Sequence, residues 1–89
     1  MLDLFSEFIG TFIFLTVIIV TGNPIAIGLT LTSMIYFSSK FSDGHFNPAV
    51  TFMMLFNKKI TIQKSLGYII SQLLGATLAF LLYKKIKNK

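Results

Sequence analysis

From Phe8 to Ser39 the chain runs 32 residues without a charged side chain. A helix crosses the ~30 Å hydrocarbon core of a bilayer in about 20 residues, so this run is too long for one crossing. Gly22-Asn23-Pro24 falls near its middle and combines a helix stop with a helix start. The run therefore reads as two helices joined by a tight turn. The first is expected over about 4–21 and the second over about 24–41, with Pro24 in the first helical position, where its missing N–H costs nothing. A third uncharged run, Ser65 to Tyr83, is 19 residues between Lys64 and Lys84 and predicts a third span over about 64–83.

Composition agrees with a membrane chain. In 89 residues, 54% are hydrophobic and the mean hydropathy is +0.77, well above ordinary soluble domains. The basic residues are 8 lysines and no arginine, gathered at Lys40, Lys58, Lys59, Lys64, Lys84, Lys85, Lys87 and Lys89 with long uncharged tracts between them. That is the charge pattern of membrane flanks, not of a nucleic-acid surface. With no cysteine, one histidine and three acids, disulfides and thiolate chemistry are excluded, and no enzyme activity, metal or cofactor is expected. The start carries Asp3 and Glu7 and no lysine, unlike the basic head of a cleavable leader, so the first span is expected to be retained. The tail from Lys84 reads as a basic cap at the interface.

One segment fits no full span. Between Asp43 and Lys58 the apolar stretch from His45 to Phe56 can hold a helix over about 47–56, ~15 Å long, which crosses half a membrane. Asn47 can cap it, Pro48 takes the first helical position, and Ala49 follows. A lone Asn-Pro is usually only a helix cap. At membrane depth, however, non-helical backbone survives only where it is buried in protein or lines a water-filled cavity, so a loop feeding a half-helix implies a pore or binding site. The helix N-terminus carries roughly +0.5 of an elementary charge, which repels cations and welcomes the oxygen of a neutral solute.

The segment Ser42-Asp43-Gly44-His45-Phe46-Asn47-Pro48-Ala49-Val50-Thr51, with Glu7-x-x-Gly10-Thr11 upstream and Gln72-x-x-Gly75 downstream, resembles the first half of an aquaporin of the major intrinsic protein family. The resemblance covers about Ser6 to Tyr83. It implies an all-α membrane protein with the half-aquaporin fold: three transmembrane helices plus one re-entrant half-helix, read as a single repeat over 1–89. In that family two such halves, inverted relative to each other, bring two Asn-Pro-Ala half-helices tip to tip to form one pore. The sequence departs from the family in carrying no second half and no filter arginine, in a short first turn, and in Asp43, which stands where the family has glycine. Asn23-Pro24-Ile25-Ala26 imitates the motif with an inserted isoleucine and reads as a turn and helix start.

The resemblance also implies roles. Asn47, Pro48 and Ala49 would form the pore motif, and Ile27, Ile35, Gly44 and Val50 the narrow constriction. Glu7 and His45 would support the loop, against the rival reading of an intramembrane carboxylate as a proton-coupling site. Independently of the family, Gly67, Ser71, Gly75 and Ala79 recur every four residues and give the third span one small face for close helix packing. The expected function is a passive channel for water or small neutral solutes such as glycerol, completed by an inverted second copy, alone or in a higher homo-oligomer, or by a second-half partner chain, with both topologies inserted. The rivals are a non-conducting truncated partner that regulates a full-length channel, a holin-like protein, which needs no Asn-Pro half-helix, and a small multidrug transporter, which needs four full spans.

Overall fold

The computed structural model describes residues 1–88; Lys89, one of the tail lysines, lies outside the described residues. Four α-helices follow in chain order: α1 (Leu2–Thr21), α2 (Pro24–Ser38), α3 (Pro48–Phe56) and α4 (Ile62–Lys87). Among the described residues there is no strand.

The first turn is made by the residues that announce it. Gly22 ends α1 in the left-handed region (φ +59°), its N–H donating to the Ile18 carbonyl at 3.0 Å. Asn23 then caps α2, its side-chain oxygen accepting from Ala26 N at 2.9 Å, and Pro24 opens the helix. A two-residue connection this short forces α2 back along α1.

α2 ends at Ser38, three residues before the expected end at Phe41. The Phe41 and Ser42 N–H groups both fold back onto the Ser38 carbonyl, at 2.8 and 2.9 Å, turning the chain inward. At 15 residues α2 is ~22 Å long, less than a full bilayer core. Among the described residues two helices, α1 and α4, are long and apolar enough to cross, against the three full spans expected. α4 is longer than expected at both ends. Thr61 caps it by accepting from Lys64 N at 3.1 Å, and it runs through Lys87 because lysines are good helix formers and suit the negative end of the helix dipole.

α1 is central, with α2 and α4 each packed against it and α3 packed on α4. α1 and α4 run in the same direction, their N-terminal ends joined by the Asp3–Lys64 ion pair. Their contact is close because of glycine: a Cβ on Gly75 would lie 2.7 Å from the Phe8 carbonyl oxygen and 3.0 Å from Phe12 N. Ser71 and Ala79 are buried, and Gly67 is half-buried against Leu4. With small side chains at these positions the two backbones approach and dispersion contacts accumulate, which is how helices associate where the surroundings are as apolar as the helix.

The distribution of polarity is inverted relative to a water-soluble domain. The buried set is rich in polar side chains, among them Glu7, Thr11, His45, Thr51 and Gln72, whereas Phe5, Ile25, Leu29, Phe52, Leu66 and Ile70 are each more than half exposed. In water such a surface would associate at once. In hydrocarbon it is the stable arrangement, since apolar side chains face lipid and the buried polar groups bond to one another, Thr11 Oγ1, Ser65 Oγ and Gln72 Oε1 excepted.

Candidate functional site

The buried polar side chains converge on the segment between α2 and α3. Glu7, on the second turn of α1, is fully buried and its carboxylate accepts four hydrogen bonds. Oε2 takes Ser42 Oγ at 2.9 Å and His45 N at 3.1 Å; Oε1 takes Phe46 N and Gln72 Nε2, both at 2.9 Å. Two of these donors are backbone N–H groups of a segment in no helix or sheet, which would otherwise be orphaned away from water. Three of the four partners are N–H groups that can only donate, so Glu7 serves the loop as an acceptor.

The same cluster reaches α3 and α4. Gln72 Nε2 also donates to Thr51 Oγ1 at 2.9 Å, and Thr51 Oγ1 shares a 2.9 Å hydrogen bond with His45 Nδ1. The His45 ring meets Tyr68 edge-on, with centroids 5.1 Å apart. Ser42 Oγ closes the loop upon itself by accepting Gly44 N at 3.2 Å. Glu7, Gln72, Thr51 and His45 thereby bind α1, α4, α3 and the loop into one network, in which, among the described residues, Gln72 Oε1 is left without a partner.

The backbone between the helices is correspondingly unusual. Gly44 has φ +68° and Phe46 φ +55°, the latter in the left-handed region that a bulky side chain rarely occupies. Two things hold Phe46 there: its N–H is bonded to Glu7, and its ring is buried against Gly10, where a Cβ would lie 2.1 Å from Phe46 Cε1. Strain concentrated in one loop and over-determined by its surroundings is a mark of a functional segment.

The loop delivers Asn47 to the N-terminus of α3. Its side-chain oxygen accepts from Ala49 N at 2.8 Å and its carbonyl from Thr51 N at 3.1 Å, while Pro48 opens the helix. The residue is exposed, and among the described residues its side-chain amide N–H groups meet no acceptor. Asn47, Pro48 and Ala49 therefore present an oriented donor and the positive end of a helix of 9 residues, ~14 Å, on an open face.

Of the residues assigned to a constriction, Ile35 and Gly44 come together. A Cβ on the buried Gly44 would stand 3.5 Å from the Ile35 Cα. Ile27 lies eight residues earlier on α2, ~12 Å along the helix axis, at another level, and Val50 is half-buried in the first turn of α3. Within one chain these four do not close a ring. Among the described residues no group of metal-ligating side chains forms.

Sequence reasoning assigned no role to Ser42, Phe46, Thr51 and Tyr68, and none to Gln72 and Gly10 beyond their place in motifs. Gln72 and Gly10 sit at fixed distances from Gly75 and Glu7, and that spacing is the signal that could have placed them. Phe46 likewise stands directly before Asn47 in the quoted segment, but that spacing does not record its role, which depends on a backbone angle.

The comparisons with known proteins agree with this arrangement. The family described as Major intrinsic protein matches residues 1–89. Relatives include the glycerol uptake facilitator protein-like 6 of Lactiplantibacillus plantarum, 46% identical over 83% of this chain and 38% of its own length. Aquaporin NIP3-1 of Arabidopsis thaliana is 39% identical over 85% of this chain and 28% of its own length, and aquaporin PIP2-7 of the same plant is 34% identical over 82% and 32%. The chain thus spans about a third of the length of these relatives. No solved structure matches this chain. All-helical, with one capped Asn-Pro-Ala half-helix tied to a buried glutamate, the chain belongs to the major intrinsic protein family of integral membrane proteins and corresponds to its first half.

Proposed function

We propose that this chain is one half of a passive, multi-pass channel for water or small neutral solutes, and no enzyme. The relatives' names, a glycerol uptake facilitator and aquaporins, support the transport class. The single observation that carries the reading is Asn47. Its oxygen is spent on capping α3, which turns its unengaged amide toward the open face beside the helix N-terminus. A neutral solute oxygen can accept from that amide, while a cation meets the like-signed end of the dipole.

The other wall of the pore would come from elsewhere, since among the described residues α2 packs on α1 alone and α3 on α4 alone. An inverted second copy, or an unlinked second half, would set a second Asn47-type cap opposite the first. In an inverted pair each constriction would combine Ile27 of one copy with Ile35, Gly44 and Val50 of the other. The split levels of Ile27 and Ile35 on α2 suit this division.

The test is osmotic swelling of liposomes holding the purified chain. Asn47→Asp keeps a capping oxygen and replaces the amide donor by a charge at the pore centre, whereas Asn47→Ala removes the cap at a cost of ~1 kcal/mol in stability. Loss or reshaping of solute flux by Asn47→Asp, with weakened folding as the main effect of Asn47→Ala, is expected. Unchanged water and solute permeability for Asn47→Asp at equal membrane content would remove the residue from the mechanism. Absence of flux from the intact chain, with flux restored by adding a second-half chain, would select the unlinked partner over the homodimer.

A further inference from the structure

Two cavities adjoin at the end of the molecule where α1 and α4 begin, and they have opposite character. One is a polar basin of about 700 Å³ bounded by Lys40, Asp43, Lys58, Lys59, Lys64 and Asp3. The other is an apolar cleft of about 370 Å³ between α1 and α2, walled by Leu2, Phe5, Ile9 and Ile13 on one side and Met34 and Phe37 on the other. Phe41 lines both, so the basin and the cleft meet at its ring.

The basin is net positive once its internal pair is set aside. Asp3 holds Lys64, leaving Lys40, Lys58 and Lys59 against Asp43 alone. Two of the three lysines come from a fixed turn: Lys58 N donates to the Leu55 carbonyl at 3.1 Å and Lys59 N to the Met54 carbonyl at 3.0 Å, with Lys58 in the left-handed region at φ +58°. The cleft has the volume of a small-molecule site, ~300–1,000 Å³, but Ser6 and Ser38 are the polar residues in an otherwise apolar lining. A ligand filling both must be anionic at one end and hydrocarbon at the other, with the junction at interface depth.

We infer that the basin and the α1–α2 cleft together bind one anionic glycerophospholipid, its phosphate among Lys40, Lys58 and Lys59 and an acyl chain between Ile9, Ile13, Met34 and Phe37. Charge complementarity chooses the headgroup, since lysines close to a membrane surface attract anionic lipid. The apolar cleft on a membrane-embedded helix pair chooses a lipid over a soluble phosphate. Seated there, the headgroup covers the end of the loop that Glu7 holds, and the acyl chain fills the groove outside Phe46. The inference is independent of whether the pore conducts.

The experiment measures which lipids stay bound to the purified full chain, by native mass spectrometry after extraction from bilayers of equal phosphatidylglycerol and phosphatidylcholine. Retention of phosphatidylglycerol at least fivefold over phosphatidylcholine is expected. It should fall to parity in Lys40→Gln/Lys58→Gln/Lys59→Gln, and persist in the tail control Lys84→Gln/Lys85→Gln/Lys87→Gln. Met34→Trp, which fills the cleft and leaves the basin untouched, should abolish retention, and millimolar glycerol phosphate should not displace the lipid. Equal retention of the two lipids, equal loss in the tail control, indifference to Met34→Trp, or displacement by glycerol phosphate would each overturn the inference. So would a tight dimer that releases phosphatidylglycerol as it forms, which would give the cleft to a second copy.

Discussion

Replacing Glu7 should cost more than any other single change in this chain, and the structure sets the scale. In Glu7→Ala the His45 and Phe46 N–H groups lose the carboxylate they donate to, inside a buried segment. Each orphaned donor costs about 1–3 kcal/mol, so these two alone remove roughly 2–6 kcal/mol before Ser42 and Gln72 are counted. Against a typical total stability of ~5–15 kcal/mol, that is enough to unfold much of the population. Glu7→Gln is the sharper probe because it preserves shape. Its single oxygen can face only one pair of donors, either Phe46 N with Gln72 Nε2 or His45 N with Ser42 Oγ. The new NH₂ then points at the other backbone N–H, donor against donor. One orphaned N–H facing a second donor predicts a loss of roughly 1–3 kcal/mol. Thermal unfolding in detergent reads the stability, and hydrogen exchange at the His45 and Phe46 amides reads the loop locally, where protection should collapse before that of α1 and α4. A Glu7→Gln chain that melts with the wild type and keeps both amides protected would refute the buttress role. A proton-coupling function for Glu7 predicts that outcome, together with transport that has lost its dependence on a pH gradient.

Three further outcomes follow from the same geometry. Gly75→Ala should destabilise by ~1–3 kcal/mol, since its Cβ meets α1 backbone at Phe8 and Phe12, whereas Gly67→Ala should be nearly neutral because only the flexible end of Leu4 is in the way; paired thermal melts that rank them equally would contradict the packing. If the spans are as the sequence assigns them, the lysines divide four against four, Lys40, Lys58, Lys59 and Lys64 against the tail lysines from Lys84 on, so C-terminal reporter fusions should be active on both sides of the membrane, and activity on one side only would exclude the inverted homodimer. A constriction of Ile27, Ile35, Gly44 and Val50 offers no side-chain donor, so liposome swelling should show glycerol or urea entering alongside water, and tight glycerol exclusion would show the register assignment to be wrong.

How far the sequence reaches can be judged residue by residue. The helical membrane class follows from runs of uncharged residues, because hydrocarbon length and helix rise are constants that convert residue counts into crossings. The Gly22-Asn23-Pro24 turn and the Asn47-Pro48 helix start are equally local, resting on left-handed glycine, side-chain capping and the missing proline N–H within a few residues of chain. Family membership was legible for the same reason, since its signature is a set of short spacings. The end of α2 at Ser38 was not legible. Nothing nearby forbids the helix from continuing to Phe41, and it stops in the folded chain where Ser42, four residues on, reaches a glutamate 35 residues earlier. The convergence of Glu7, His45, Thr51 and Gln72, the positive φ of Phe46 and the need for Gly10 beneath its ring are likewise tertiary. Each arises where helices distant in sequence are brought together and the buried donors of the loop must find acceptors, and no local pattern records which partner that will be.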